Sequence, residues 1–442
     1  MAKYSKYFAL AKEKGIEALE LFVSKKYALS FSLFHSEVDS YSLEDAQSLS
    51  ARGIYKGKIG YATTEKLDKS APDFVVNQVV DNAKAVDKDD PAIIFPGSPK
   101  YRRANVYNPE IRALAVDKKL ANLYEIEKKL KAADPRISEV EAVSYSESDE
   151  EVELLNSYGL SLKTKSNYFY YYASVMVRDG EATRTAYKIH LSKDVKDFII
   201  DDFVKEIVDE AIGKIGATSI PSKKYPVILA PKVAASLLEA YLSGASAEEV
   251  QKKSSLLAGK LHQLIASKKL TVTEAPLTKN AFFRYFDDEG VATYNKPIIN
   301  KGMLETYFYN LLSAHKDGVK TTGNGYRRGG GKIGTHYINV LVKPGRKSLD
   351  ELVGKIKEGV LIKEVQGLHS GLNAQSGNFS LQASGFLIEA GKISRPVNLI
   401  TVAGNLKDLF LDVSEVGNDS ELQLSSFNSP SMLIKKLAIS GQ

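Results

Sequence analysis

In "VAASLLEAYLSGAS", Ala234, Leu237, Leu238 and Tyr241 stand at i, i+3, i+4 and i+7, the spacing of a helix that buries one face. Leu257, Leu261, Leu264 and Ile265 repeat that stripe after a polar break, so 233–267 reads as a helical pair. Nearer the start, "YFALAKEKGIEALELFVS" has helical periodicity, while "ALSFSLFHSEVDSYS" alternates with the period of a strand. "SLSARGIYKGKIGYATTE" predicts a hairpin turning at Lys56-Gly57, and "APDFVVNQVVDNAKAVD" returns to helical spacing. "KDDPAIIFPGSPKYRRANVYNPE" carries Pro91, Pro96, Pro99 and Pro109 and is the best linker candidate.

A similar order follows. "LAVDKKLANLYEIEKKLKAADPRI" is a helix, and the alternating stretch from Val140 is a strand meander turning at 157–159 and at Asp179-Gly180. "DVKDFIIDDFVKEIVDEAIGKIGA" is a further helix. Beyond Tyr225, hairpins are expected at Asn300-Lys301-Gly302 and at Ala390-Gly391. "TTGNGYRRGGGKIG" reads as a mobile glycine loop; it lacks the G-x-x-x-x-G-K spacing of a phosphate loop. The fold class is α+β. Two small α/β units, 1–95 and 96–224, precede a β-rich antiparallel C-terminal domain, 225–442, with a few helices.

Composition narrows the chemistry. Of 442 residues, 43% are hydrophobic and 26% charged, which fits a globular protein of two or three domains. With no apolar run near the ~20 residues that span a bilayer and no signal-like start, no membrane partner and a cytoplasmic location are expected. There is no cysteine, which excludes disulfides, thiolate metal sites and cysteine nucleophiles. The net charge of +6 is dispersed among Lys–Glu neighbours, the pattern of a solvated surface rather than a nucleic-acid face.

His35, His190, His262, His315, His336 and His369 are scattered, and no two share a helical turn as a zinc-protease helix requires. Ser384 in "QASGF" lies in a strand-like run, not at a nucleophile elbow. Asp287, Asp288 and Glu289 in "FDDEGVATYNK" read as an acidic turn entering a hairpin, with cation binding or proton sharing as the alternative. His336 in "IGTHYINVLVKPG" closes the glycine loop at the start of a strand and reads as solvated or bonded to backbone.

"FDDEGVATYNKPIINKGMLETYFYNLLSAHKDGVKTTGNGYR", "SGNFSLQASGFLIEAGKISRPVNLITVAGNLKDLF", "VGNDSEL" and "SPSMLIKKLAISG" resemble, in order, blocks of the TldD/PmbA family, also called modulators of DNA gyrase. "SLSARGIYKGKIGYATTEKLD" resembles its first domain more weakly. The resemblance implies a heterodimeric peptidase that trims unfolded peptides. In it a zinc-bearing TldD subunit pairs with a PmbA or TldE subunit lacking the metal motif. TldD-like chains carry H-E-x-x-x-H on the helix equivalent to 233–243, and a cysteine ligand after the G-N-D block. Here Glu239 is kept, but Leu238 precedes it, no histidine follows up to Ala247, and no cysteine exists.

The resemblance therefore implies a PmbA/TldE-type chain with no catalytic or metal residues of its own and inactive alone. Its expected partners are a zinc-bearing TldD-like subunit, or a second copy, and an unfolded peptide. His262 lies beyond the metal motif and is assigned to structure. By position in the family blocks, 378–387 and 323–335 are expected to line the substrate chamber, with Asn324, Arg327, His336, Ser376, Asn378, Phe379 and Ser384 as candidate contacts. Two other readings stay open. One is a self-sufficient homodimeric peptidase using scattered zinc ligands or another nucleophile. The other is a gyrase- or nucleic-acid-binding regulator acting through Arg327, Arg328 and Lys332.

Overall fold

The computed structural model describes residues 2–87 and 90–441, so Lys88 and Asp89 of the proline-rich connection lie outside the described residues. The first helix, α1 (Ser5–Glu13), is shorter than its periodicity suggests. Gly15 takes a φ of +78° and ends it, and the apolar positions that follow switch to period two in β1 (Ala18–Phe34). β2 (Glu37–Tyr55) and β3 (Lys58–Thr64) follow, joined at Lys56-Gly57 as expected, and then α2 (Ala71–Lys84). A second run comprises α3 (Pro109–Ala113), α4 (Val116–Ala133), β4 (Ile137–Asn156), β5 (Ser161–Asp179), β6 (Ala182–Ser192) and α5 (Ile200–Gly213).

The two runs share one antiparallel sheet of order β3-β2-β1-β4-β5-β6, because β1 pairs along most of its length with β4. Alternation gives that sheet two unlike faces. Leu21, Val23, Leu29 and Phe31 of β1 and Val143 and Tyr145 of β4 are buried in the cores that also hold residues of α2, α4 and α5. The positions between them, rich in serine, face the other way.

The C-terminal part starts with β7 (Lys223–Leu229) and α6 (Pro231–Leu242). Short strands follow: β8 (Val272–Glu274), β9 (Lys296–Asn300), β10 (Met303–Leu304), β11 (Gly325–Arg327), β12 (Ile333–Thr335) and β13 (Val340–Val342). Longer ones come after: β14 (Glu358–Gln366), β15 (Asn378–Glu389), β16 (Lys392–Asn405), β17 (Val413–Val416), β18 (Phe427–Asn428) and β19 (Met432–Ser440). The order β16-β15-β14-β7-β19-β17, with β16 also paired to β19, closes five of these strands into a barrel. α6 packs its apolar stripe into the same core as the barrel interior, around Leu229, Leu237, Leu238, Phe379 and Phe410.

The architecture is α+β, with an α/β N-terminal region and a β-rich C-terminal domain. Two local expectations change. The second stripe, Leu257 to Ile265, is a chain of turns, not a helix. Leu257 and Ile265 are buried, but Leu264 is 48% exposed and His262 has a positive φ, so one helical face never forms. The glycine-rich segment is a hairpin in which β11 pairs with β12, and His336 follows β12 instead of opening a strand. Among the described residues, no helix is long and apolar enough to cross a membrane.

Candidate functional site

The helix on which the family resemblance would place zinc is α6. Leu237, Leu238, Tyr241 and Leu242 are buried in the barrel core. Tyr241 lies against Phe410 with ring centroids 5.3 Å apart, and its hydroxyl donates to the Ile265 carbonyl at 2.9 Å. Glu239 projects away from this stripe and accepts a short hydrogen bond from the Tyr337 hydroxyl. Burial, reinforced by the Glu239 carboxylate, pushes the Tyr337 phenol far up, so it stays a donor. The Tyr337 ring is flanked by His336 and Phe427, with centroids 4.3 and 5.5 Å away.

A zinc ion needs several nitrogen, sulfur or carboxylate donors converging on one point. On the H-E-x-x-x-H spacing the imidazole positions fall at Leu238, a core hydrocarbon, and Ser243, whose hydroxyl is spent on the Ala240 carbonyl at 2.8 Å. Within the G-N-D block, Asp419 is bound to the Ser431 amide and hydroxyl at 2.9 and 2.6 Å. Among the described residues no group of three metal-ligating side chains comes together. The donor set at α6 does not fit a zinc ion.

The open face of the N-terminal sheet meets the C-terminal domain across a groove. One wall is built from cross-strand neighbours: Thr63 beside Ser50, Ser50 beside Phe22, Val152 beside Thr164, Glu150 beside Ser166 and Lys26, and Ser148 beside Tyr168. The opposite wall is Phe282, Arg284, Tyr326, Arg328, His336 and Tyr337. Two cavities, of about 390 and 1020 Å³, share Glu150, Arg284 and Tyr326 and so adjoin along this groove. Hydroxyl groups both donate and accept without carrying charge, which suits contact with a peptide backbone of any sequence. His336 is exposed on this wall. The protein packed around its ring, together with Arg328 and Arg284, lowers its basicity, so it is neutral at pH 7.

At one end of the groove the two parts of the molecule are joined by a buried ionic cluster. Glu20 and Arg52 are cross-strand partners on β1 and β2, linked bidentately at 2.9 Å through each nitrogen. Arg52 also reaches Glu289 at 3.1 Å, and Arg327 reaches Glu20 at 2.5 Å. Asp288 accepts from the Arg284 guanidinium at 2.5 Å and from the Arg327 amide at 2.7 Å. Asp287 is ringed by backbone amides of Glu289, Val291 and Gly325, at 3.0, 2.9 and 2.8 Å. Gly325 is required by this crowding: a Cβ there would stand 2.6 Å from the Glu289 side chain and 3.0 Å from Asp287.

Burial opposes the charge on Glu20, yet Arg52 and Arg327 overrule it and hold that carboxyl below its usual range. Asp287 has no arginine. Burial first, and the nearby Glu289 second, push it up to about 8, against the pull of its three amides. Burial likewise raises Glu289 despite Arg52. The acidic turn is therefore an interior junction, since Asp287, Asp288 and Glu289 are at most 3% exposed.

The candidate residues do not converge on one place. His336 lines the groove, and Arg327 borders it with its guanidinium committed to Glu20 and Asp288. That commitment removes Arg327 as a phosphate contact. Asn324 is fully buried, binding Glu274 at 2.6 Å and the His336 carbonyl at 2.9 Å. Ser376 and Asn378 are exposed at the start of β15, where the Asn378 amide meets Asn405, and Phe379 is buried in the barrel core. Ser384 lines a separate cavity of about 370 Å³ between β6, α5 and the barrel. From Gln382 to Glu389 β15 is paired on both sides, with β14 and β16, and so offers side chains there and not a free edge.

Sequence reasoning missed Glu20, Arg52 and Arg284. A signal was present for the first pair: each is a lone charge inside a strand whose flanks, Leu19 and Leu21 or Ala51 and Ile54, are apolar. It also missed the serine wall, although serine recurs at alternate positions of β1, β2 and β4.

A two-faced antiparallel sheet bolted to a closed barrel, with a groove between them, defines the class of this α+β protein. Three consecutive family profiles match in order: "PmbA/TldA metallopeptidase domain 1" over 19–83, the central domain over 109–215 and the C-terminal domain over 222–441. The chain belongs to the PmbA/TldD metallopeptidase family. It is 26% identical to metalloprotease PmbA of Escherichia coli O157:H7 over 96% of this chain and 93% of that protein. It is 30% identical to a PmbA homolog of Buchnera aphidicola subsp. Acyrthosiphon pisum, over 65% of this chain and 62% of that protein. A Thermotoga maritima protein described as a candidate modulator of a DNA gyrase superposes with a TM-score of 0.92 at 30% identity, covering 99% of each chain. TldE of Thermococcus kodakarensis superposes at 0.90 with 25% identity, over 99% of this chain and 100% of that one.

Proposed function

We propose that this chain is the metal-free, non-catalytic subunit of a two-subunit zinc peptidase that trims unfolded peptides. The observation that carries this reading is α6: Leu238 sits in the barrel core where a metal-binding helix needs an imidazole, and Glu239 is held by the Tyr337 hydroxyl. Its likeness to TldE supports the same assignment. Zinc would be supplied by a TldD-like partner and would activate water for peptide hydrolysis there.

This chain's own residues bind and orient. The hydroxyl wall of Ser148, Thr164, Ser166, Ser48 and Ser50 offers hydrogen bonds to extended backbone without selecting side chains. Arg284, fixed by Asp288, and Arg328 give the facing wall a positive character that favours neutral or acidic peptides. A folded domain presents its backbone already paired, so only an unfolded segment gains from such a wall.

The test is metal content and peptidase activity of the purified chain, alone and mixed with a zinc-bearing TldD-like subunit. Cleavage only in the mixture, with less than stoichiometric zinc in this chain, is the expected result. About one zinc per chain with unaided cleavage would overturn the reading.

A further inference from the structure

β2 is a long strand only half used by its own sheet. β3 pairs with it from Leu49 to Tyr55, whereas 37–48 have β1 on one side and, among the described residues, no strand on the other. Exposed apolar side chains gather on this free stretch and the turn before it. Phe34, Val38, Tyr41 and Leu43 are 43%, 46%, 58% and 56% exposed.

Register places them. Tyr41 is opposite Phe31, Leu43 opposite Leu29 and, past a bulge, Val38 opposite Leu33. Those three partners are buried in the core that holds residues of α4, so Val38, Tyr41 and Leu43 extend the same apolar layer beyond the last covering helix. Tyr41 stacks on Phe31 with centroids 6.2 Å apart. The opposite face of the strand carries Glu37, Ser40, Ser42 and Glu44.

A monomeric protein blunts such an edge with charges, lysine above all, or with proline, a bulge or brevity. This one is long and apolar on one face. Its charges are all of one sign: Glu37, Asp39, Glu44 and Asp45, with no lysine or arginine between 37 and 48. Lys26 of β1 compensates only Glu44, at 2.7 Å. A second copy pairing here would add its own four carboxylates to these four, so the edge fits a chain of opposite charge better than itself.

We infer that 37–48 of β2 receive an extended segment of the partner subunit by strand addition. The segment sets apolar side chains over Val38, Tyr41 and Leu43, and lysine or arginine beside Glu37 and Glu44. This rests on the two-subunit reading and names the surface through which the subunits meet.

The experiment titrates the full-length chain against the zinc-bearing TldD-like subunit and follows complex formation by light scattering and by fluorescence anisotropy. Leu43→Asp is expected to weaken assembly about 100-fold, as loss of a central apolar anchor does. The double variant Glu37→Lys with Glu44→Lys is expected to weaken it about 10-fold and to flatten its salt dependence. Both sites are exposed, so melting temperatures should match the wild type and show that folding is intact. If wild type assembles and both variants assemble equally well, this surface is wrong while the two-subunit reading stands. If wild type never assembles with a zinc-bearing subunit, that reading falls and the inference with it. A wild-type chain that dimerises alone and turns monomeric as Leu43→Asp would overturn the basic-partner assignment in favour of a second copy.

Discussion

α6 and the Asp287–Glu289 turn invert each other. α6 lies where the family resemblance would place a metal motif, yet it is filled with leucine and keeps one carboxylate bound to a tyrosine. The acidic turn read as the entry to a hairpin, yet its three carboxyl groups are buried in a junction with Arg52, Arg284 and Arg327. Hydrocarbon fills this helix face, because leucine packs there without needing polar partners. A junction between two sheets cannot be released so easily, since each buried charge there compensates another.

Breaking the junction should have the largest effect. Arg52→Met strips Glu20 and Glu289 of their shared guanidinium, and a loss of about 3–5 kcal/mol is expected by urea unfolding. Leu238→His, which restores half of a metal motif, should instead cost about 3 kcal/mol, by burying an unpaired imidazole, and should add no zinc by metal analysis.

The third contrast is in pH. Because the folded protein holds Asp287 protonated up to about 8, while the unfolded chain releases that proton near the ordinary carboxylate value of about 4, the folded state binds the extra proton between these limits. Stability from this group is present at the acid end and declines as pH rises toward 8, by up to about 1.4 kcal/mol per unit. Urea midpoints from pH 5 to 8 should fall for the wild type, and Asp287→Asn should remove that component of the slope. Glu20, held below its usual range, contributes an opposite slope only at more acidic pH. The smallest effect is expected at α6: Tyr337→Phe removes the donor to half-buried Glu239 and should cost about 1 kcal/mol in the same assay.

Much of the architecture was legible because it is written in local periodicity. The hairpin at Lys56-Gly57, the meander through Asp179-Gly180 and the stripe of α6 all follow from spacing. What escaped depends on distant partners. Leu257 to Ile265 has helical spacing, but its backbone bonds go elsewhere: the His262 amide goes to Leu304 and the Ile265 amide to Gly302. The pairing of β1 with β4 joins segments more than a hundred residues apart, and nothing in either strand announces the other. The site was half legible. The sequence shows Leu238 before Glu239 and no histidine up to Ala247, but the groove is assembled from cross-strand neighbours facing side chains of the other part, and its junction from Glu20, Arg52, Asp288 and Arg327.

That junction also bears on how such a chain changes over generations. Glu20 and Arg52 lie in the N-terminal sheet, and Asp288, Glu289 and Arg327 in the C-terminal domain, so the Arg52–Glu289 and Arg327–Glu20 bonds each cross from one part to the other. A recombination that exchanged one part for a relative's would strand buried charges unless the acid and arginine positions arrived matched.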